Sequence, residues 1–263
     1  MEYKIPLPQK PKIIKKQAHQ AVFEIDGCYP GYGMTLGNVF RRILLSSLPG
    51  AAVTAVKIKG VSHEFSTIPY VLEDVIRIIL NLKQIRFKIV SQEALPIKVG
   101  LKISGQKEVK AKDIKVTSEV EIINKDASIA TLTDKKAKLE MEIEIDKGLG
   151  YVPVEQRKKE KLEIGTIALD AIFSPVKKVN YEVENMRVGE RTDFNRLKLD
   201  VETDGTMTPE DAFAKAADIL VEHFELFASP EKEEKKKSRP RSGSRQRSGK
   251  SNKKTNATQK KKK

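Results

Sequence analysis

Apolar residues recur at helical spacing in residues 35–47. Thr35 is the predicted N-cap of this first helix, and a Pro-Gly pair at positions 49 and 50 ends it. Five apolar residues follow one another at positions i, i+3, i+4, i+7 and i+8 of one helix face: Leu36, Val39, Phe40, Ile43 and Leu44. Arg42 and Leu45 lie off that face, which indicates a second packing surface on the same helix.

Two further helices are predicted. Residues 73–83 are apolar on more than one face, which indicates burial on several sides, by the chain itself or by a partner. Residues 208–228 begin with Thr208 as N-cap, Pro209 at the first helical position and acidic residues in the first turn. Their apolar stripe consists of Phe213, Ala216, Ala217, Leu220, Val221, Phe224 and Phe227.

Short alternating stretches occupy residues 85–165, and the most regular is 139–145, where apolar residues are separated by glutamates. A strict period of two predicts a strand with one buried face. We assign its glutamates to the solvated face rather than to a metal site, because nothing else in the chain completes a ligand set. Alternation returns at residues 179–183 and 197–201.

This order of elements predicts an α+β fold. Helix-bearing segments at both ends flank a strand-rich block. The simplest arrangement is one domain built from residues 21–50 and 176–228, interrupted by an inserted β-rich domain at residues 51–175. Residues 1–20, rich in lysine and proline, are predicted to form a flexible arm.

The net charge of +14 is concentrated at the end of the chain. Residues 229–263 contain fifteen Lys and Arg against three Glu, a net of +12, whereas residues 1–228 carry 35 basic and 33 acidic residues, a net of +2. From Ser238 onward the sequence has no aliphatic side chain larger than alanine and no aromatic one, so we expect residues 229–263 to form a disordered basic tail.

The sequence carries no recognisable catalytic constellation. One cysteine, Cys28, excludes a disulfide within the chain, and the three histidines are scattered. We predict no metal and no cofactor, and we interpret His63 as a surface or hydrogen-bonded histidine rather than a general base. No apolar run approaches the ~20 residues of a membrane span. The N-terminus lacks the apolar core of a signal peptide, so we expect a cytoplasmic protein.

Two glycine-containing patterns resemble phosphate-binding loops. Gly31, Gly33 and Gly37 precede or enter the first helix, but their GxGxxxG spacing differs from GxGxxG, so we interpret them as shaping a tight helix entry. The tripeptide at positions 249–251 reads Gly-Lys-Ser, yet no strand precedes it and the upstream spacing is wrong.

Several long segments resemble the α subunit of bacterial DNA-directed RNA polymerase. Residues 35–53 (TLGNVFRRILLSSLPGAAV) and 60–67 (GVSHEFST) are similar to the most characteristic stretches of that family. Shorter pieces follow in the family's order, among them 80–83 (LNLK), 150–153 (GYVP), 170–176 (DAIFSPV), 180–184 (NYEVE), 191–193 (RTD) and 202–206 (ETDGT). Together they cover about residues 20–228.

The resemblance implies a non-catalytic subunit of a nucleotidyltransferase complex, acting in transcription. Two such chains pair through a dimerisation domain formed from both chain ends, and the homodimer then recruits the large β and β′ subunits. It implies β contacts at Arg42 and Leu45 and β′ contacts at Lys83 and Leu169. The predicted dimer interface comprises Phe40, Leu44, Phe213, Phe224 and Phe227. The expected location is the bacterial cytoplasm, in association with the nucleoid.

The chain departs from the family after residue 228, where most members continue into a helical DNA-binding domain. We hypothesise that the basic tail attracts nucleic-acid phosphates without reading sequence. Its candidate contacts are Arg239, Arg241, Arg245, Arg247, Lys253 and Lys254. A solvating tail without a dedicated role is the alternative. A different class of function, a stand-alone basic nucleic-acid-binding protein acting through this tail, also stays open, although residues 1–228 are nearly neutral.

Overall fold

The computed structural model describes residues 5–90, 95–157, 163 and 165–228. Within them the chain has the expected α+β fold, with three α-helices and fourteen β-strands. The helices are α1 (Tyr32–Ser46), α2 (Val75–Lys83) and α3 (Pro209–Ala228). The strands are β1 (Lys12–Lys16), β2 (Gln20–Cys28), β3 (Pro49–Ile58), β4 (Phe87–Ile89), β5 (Ile97–Ser104), β6 (Lys107–Lys110), β7 (Val120–Ile122), β8 (Ser128–Leu132), β9 (Lys138–Leu149), β10 (Tyr151–Val152), β11 (Thr166–Ala168), β12 (Ala171–Ile172), β13 (Val176–Val188) and β14 (Arg191–Thr203).

The first core lies between a four-stranded antiparallel sheet and the helices α1 and α3. The strand order is β1-β2-β14-β13, so the N-terminal strands pair with the C-terminal hairpin. Phe213 of α3 stacks on Phe23 of β2 at a centroid distance of 4.5 Å and on Phe40 of α1 at 4.8 Å. The buried residues of this core are Ala21, Phe23, Leu44, Leu48, Val176, Val179, Leu199, Val201, Ala212 and Ala216.

The entry of α1 depends on glycine. The helix begins at Tyr32, and its N-cap is Gly31 with a φ of 85°, a left-handed conformation that favours glycine. The prediction of Thr35 as N-cap is wrong. Thr35 lies inside the helix, and its hydroxyl donates to the Gly31 carbonyl oxygen at 3.4 Å. A Cβ on Gly37 would lie 2.6 Å from the Tyr181 ring, so glycine lets α1 approach β13 closely. The predicted role in a tight helix entry is confirmed for Gly31, whereas Gly37 lies inside the helix and permits close packing on β13.

The second core fills the space between α2 and a larger sheet. The order of that sheet is β5-β9-β3-β4-β7, with β11 pairing to β3. The alternation of residues 139–145 is confirmed: the apolar side chains Leu139, Met141, Ile143 and Ile145 are buried, and the glutamates between them are not. Asp74 caps α2 by accepting a hydrogen bond from the Arg77 N–H at 2.8 Å. Ile78 and Leu82 of α2 are fully buried against this sheet.

Two stretches differ from the predicted pattern. Within the predicted arm, β1 pairs antiparallel with β2, because its backbone completes the edge of the sheet although its side chains are exposed. Residues 115–123 belong to the region 85–165 that was predicted to alternate, yet they form a strand only at Val120–Ile122. The N-terminus of α3 follows the prediction, since Thr208 Oγ1 accepts a hydrogen bond from the Asp211 N–H at 3.2 Å.

The described residues up to His223 form one compact unit, and residues 224–228 lie outside it. Both cores belong to the first unit. The boundaries at residues 50/51 and 175/176 between the two predicted domains stay a prediction. Among the described residues, no helix is both long and apolar enough to cross a membrane.

Candidate partner-binding surfaces

The described residues contain no group of three or more His, Cys, Asp or Glu side chains that could hold a metal ion. The Cys28 thiol is fully buried, and burial together with the nearby Asp26 carboxylate raises its pKa. His63 lies in a surface turn, where Nδ1 is 3.2 Å from the Ser66 hydroxyl. A buried thiol and a histidine that contacts a serine hydroxyl in a surface turn do not form a nucleophile–base pair.

The structure brings together Lys83 and Leu169, the two residues that the resemblance assigns to β′ contacts. Lys83 ends α2, Leu169 directly follows β11, and both line one open groove of about 590 Å³. The Lys83 ammonium lies 3.8 Å from the carboxylate of Asp170. Leu169 is buried, so it forms part of the floor of the groove rather than its rim.

Large apolar side chains stand exposed along this groove. Phe65 is 76% exposed and Leu80 is 46% exposed, and Ile76 lies beside them on α2. These three residues and Lys83 are called the α2 groove below. Exposed apolar groups grouped in this way, next to a charged pair, are typical of a protein interface. Sequence reasoning did not assign Phe65, Ile76 or Leu80 to a site, although the apolar residues on several faces of residues 73–83 were the signal.

Hydrogen bonds between side chains and the backbone hold the far wall of the α2 groove. The Asp170 carboxylate accepts a hydrogen bond from the Val154 N–H at 3.1 Å. The Arg157 guanidinium donates to the carbonyl oxygens of Leu169 and Thr54, the latter at 3.0 Å. Partial desolvation and the Asp170 carboxylate raise the pKa of Tyr151 at the same edge. The segment that carries Leu169 and Asp170 is therefore held by these hydrogen bonds in addition to the pairing of β11 with β3.

The outward side of α1 carries Arg42 and Leu45. Arg42 is exposed, and within the described part of the chain no carboxylate forms an ion pair with it. Its carbonyl oxygen accepts a hydrogen bond from the Ser46 hydroxyl at 2.7 Å, which belongs to the helix itself. Leu45 is half-buried against the first core. This surface offers a guanidinium group beside partly exposed apolar area.

The predicted dimer residues differ in how far their side chains are exposed. Leu44 has no exposed surface, so it packs within the chain and cannot reach a partner directly. Phe40 and Phe213 are half-buried in the aromatic stack of the first core. Phe224 and Phe227, in contrast, are 61% and 80% exposed near the end of α3.

The candidate tail contacts Arg239, Arg241, Arg245, Arg247, Lys253 and Lys254 lie outside the described residues.

Comparison with known proteins gives consistent matches over most of the chain. Residues 56–174 match the family described as RNA polymerase Rpb3/RpoA insert domain. A protein of Symbiobacterium thermophilum, named DNA-directed RNA polymerase subunit alpha, is 50% identical over 225 residues, covering 84% of this chain and 70% of that protein. A protein of the same name from Prosthecochloris aestuarii is 46% identical over 239 residues, covering 89% and 72%. A third, from Porphyromonas gingivalis, is 50% identical over 209 residues, covering 79% and 63%.

Proposed function

The chain belongs to the α-subunit family of DNA-directed RNA polymerase, and from that premise we propose that it forms a homodimer on which the β and β′ subunits assemble. It contributes to a nucleotidyltransferase complex in transcription and supplies no catalytic residues of its own. The observation that carries this proposal is the 50% identity to a named α subunit over 84% of the chain. We expect the complex to work in the cytoplasm, in association with the nucleoid.

The dimer interface is proposed to involve the exposed aromatic residues near the end of α3. Phe224 and Phe227 share that end with Leu226, which is also largely exposed. Three large apolar side chains within one helical turn are unfavourable in water, and obligate dimers bury such residues against each other. Phe40 and Phe213 support the interface from the first core, because their stack fixes α3 relative to α1.

Two separate surfaces are proposed for the large subunits. Arg42 and Leu45 on α1 would contact β, since arginine beside apolar area is a common interface hot spot. The α2 groove would contact β′, with Lys83 at the rim and Leu169 beneath it. The exposure of Phe65 and Leu80 supports the assignment of the groove to β′. These side chains add apolar area for a partner to bury beside the charge of Lys83.

For the basic tail we propose weak, salt-dependent attraction to nucleic-acid phosphates. The support is its net charge of +12, carried by residues that include Arg239, Arg241, Arg245, Arg247, Lys253 and Lys254. The same charge is the one observation that favours the alternative, a stand-alone nucleic-acid-binding protein.

One comparison separates these functions. The full chain and a 1–229 truncation are each co-expressed with β and β′, and the assembled complexes are tested for DNA affinity across a salt series. The scaffold proposal predicts that both forms assemble, and the tail proposal predicts that the full chain binds DNA more tightly at low salt. Equal affinity at low salt would exclude the tail as a tether. Failure of both forms to assemble with β and β′, together with DNA binding that is lost on truncation, would favour the stand-alone function.

A further inference from the structure

The two cores of the first unit also meet through residues outside the segments that pass between them. The chain crosses from the first core to the second between α1 and β3, and it returns between β12 and β13. A further junction lies beside the returning segment. There, a Cβ on Gly205, just after β14, would lie 3.0 Å from Cγ2 of Ile123, just after β7. The turn after β14 therefore packs directly on the second core.

An ion pair spans this junction. Arg86 Nε lies 3.8 Å from Asp204 Oδ2, and the two side chains are only 21% and 6% exposed. Removing two charges from water costs free energy, and such a pair is often no more stabilising than apolar residues of the same size. We therefore attribute to this mostly buried pair a role in fixing how the two cores are oriented, in addition to any contribution to the free energy of unfolding.

Both partners of the pair are fixed by further hydrogen bonds. Asp204 Oδ1 accepts from the Thr206 N–H at 2.9 Å and from the Thr206 hydroxyl at 2.6 Å, and its own N–H donates to the Pro175 carbonyl at 2.9 Å. The Arg86 N–H donates to Asn124 Oδ1 at 2.7 Å. The Asp204 carboxylate and the Arg86 backbone are each held within their own core, so a rotation between the cores would stretch or break the ion pair.

The pair also connects two functionally placed helices. Asp204 holds the turn from which α3 begins at Pro209, and Arg86 lies just beyond Lys83, the last residue of α2. α1 of the first core carries the Arg42 surface, and α2 carries the α2 groove. A rotation between the cores would therefore change the spacing between these two surfaces.

We propose that Arg86 and Asp204 form a latch that sets the orientation of the two cores, and so positions the α2 groove relative to the Arg42 surface of α1. The latch itself concerns the isolated chain, and its consequence for assembly rests on the proposed function. Arg86 and Asp204 are positioning residues here, because neither lies on a proposed contact surface.

The test measures distances between spin labels by electron–electron double resonance. Labels are attached at Asn180→Cys on β13 and Lys135→Cys beside the second core, both exposed positions, in full-length chain diluted with unlabelled chain. Cys28 is fully buried and stays unlabelled. Arg86→Met and Asp204→Asn are expected to broaden or shift the distance distribution. Arg191→Met is the matched control: it breaks an ion pair with Asp193, within β14, that does not cross the junction.

Wild-type distributions in both latch variants would overturn the latch. Far-UV circular dichroism verifies folding. The double variant Arg86→Met/Asp204→Asn leaves no unpaired charge, so its distance distribution tests the latch if a single variant does not fold. A second arm measures capture of β and β′. Failure of the wild-type chain to capture them would contradict the proposed function and leave the distance result intact. Reduced capture by latch variants that still dimerise would support both.

Discussion

The Lys83 ammonium lies 3.8 Å from the Asp170 carboxylate, and this pair joins the end of α2 to the segment that carries Leu169. The two residues come from distant parts of the sequence, yet they line the same groove. Since a partly exposed ion pair contributes little to stability, its removal should affect binding more than folding.

Lys83→Ala should weaken capture of β′ on the order of tenfold, the effect of losing an interface hot spot. The thermal unfolding midpoint should hardly change. Binding is measured by titrating β′ onto immobilised homodimer. Lys88→Ala is the control, because Lys88 is exposed on β4 and does not line the groove. An equal effect of both substitutions would remove Lys83 from the interface.

Arg42→Ala should reduce capture of β while leaving the dimer intact, because the Arg42 side chain is exposed and takes no part in the first core. The neighbouring Arg41→Ala serves as the comparison, since Arg41 is also exposed on α1. Pull-down of tagged β measures both. If the two variants capture β as well as the wild-type chain does, the β surface lies elsewhere.

The double substitution Phe224→Ala/Phe227→Ala should shift the chain from dimer to monomer, because it removes two large exposed aromatic groups from the proposed interface. Analytical ultracentrifugation over a range of concentrations gives the dissociation constant. The exposed pair Glu222→Ala/Glu225→Ala on the same helix is the control. A dimer that survives the aromatic substitution unchanged would rule out this end of α3.

Gly37→Ala should destabilise the fold by about 1–3 kcal/mol, the usual cost of overpacking. The added methyl group would lie 2.6 Å from the Tyr181 ring, so α1 or β13 must move. The change in the free energy of unfolding is measured in urea. Asn38→Ala, one residue further along α1 and exposed, should cost far less. Equal stabilities would mean that the helix does not approach β13 this closely.

Stability should decrease as the pH falls below the ordinary carboxyl range. Ion pairs with Lys59 and Lys57 lower the pKa values of Glu140 and Glu163 below their ordinary 4.5. A lowered folded pKa adds stability above the unfolded pKa, and this contribution is lost as the pH falls through the folded value. Because both pairs are exposed, urea midpoints should drop only slightly between pH 5 and pH 3, and less so in high salt. A midpoint that stays constant over this range would contradict the assignment.

The sequence predicted those helices and strands that are determined by residues close to one another along the chain. The capped start of α3 and the alternation of β9 needed only neighbouring residues, and both were found as expected. The start of α1 was missed because a left-handed glycine, rather than Thr35, begins the helix. The pairing of β1 with β2 was missed because exposed side chains carry no periodic signal.

The candidate sites depended on contacts between distant residues. The resemblance assigned Lys83 and Leu169 one by one, but only the fold brings them to one groove with Phe65 and Leu80. The latch pair, Arg86 with Asp204, has no sequence signature, because an arginine after a helix and an aspartate in a turn are ordinary in isolation.

Under the proposed function, two copies of this chain form the platform for one β and one β′ subunit. Native mass spectrometry of the complex, purified through a tag on β′ after co-expression of all three chains, measures the copy number directly. We predict a mass that corresponds to two copies of this chain, one β and one β′. A complex that contains a single copy, or large subunits that assemble without this chain, would contradict the account.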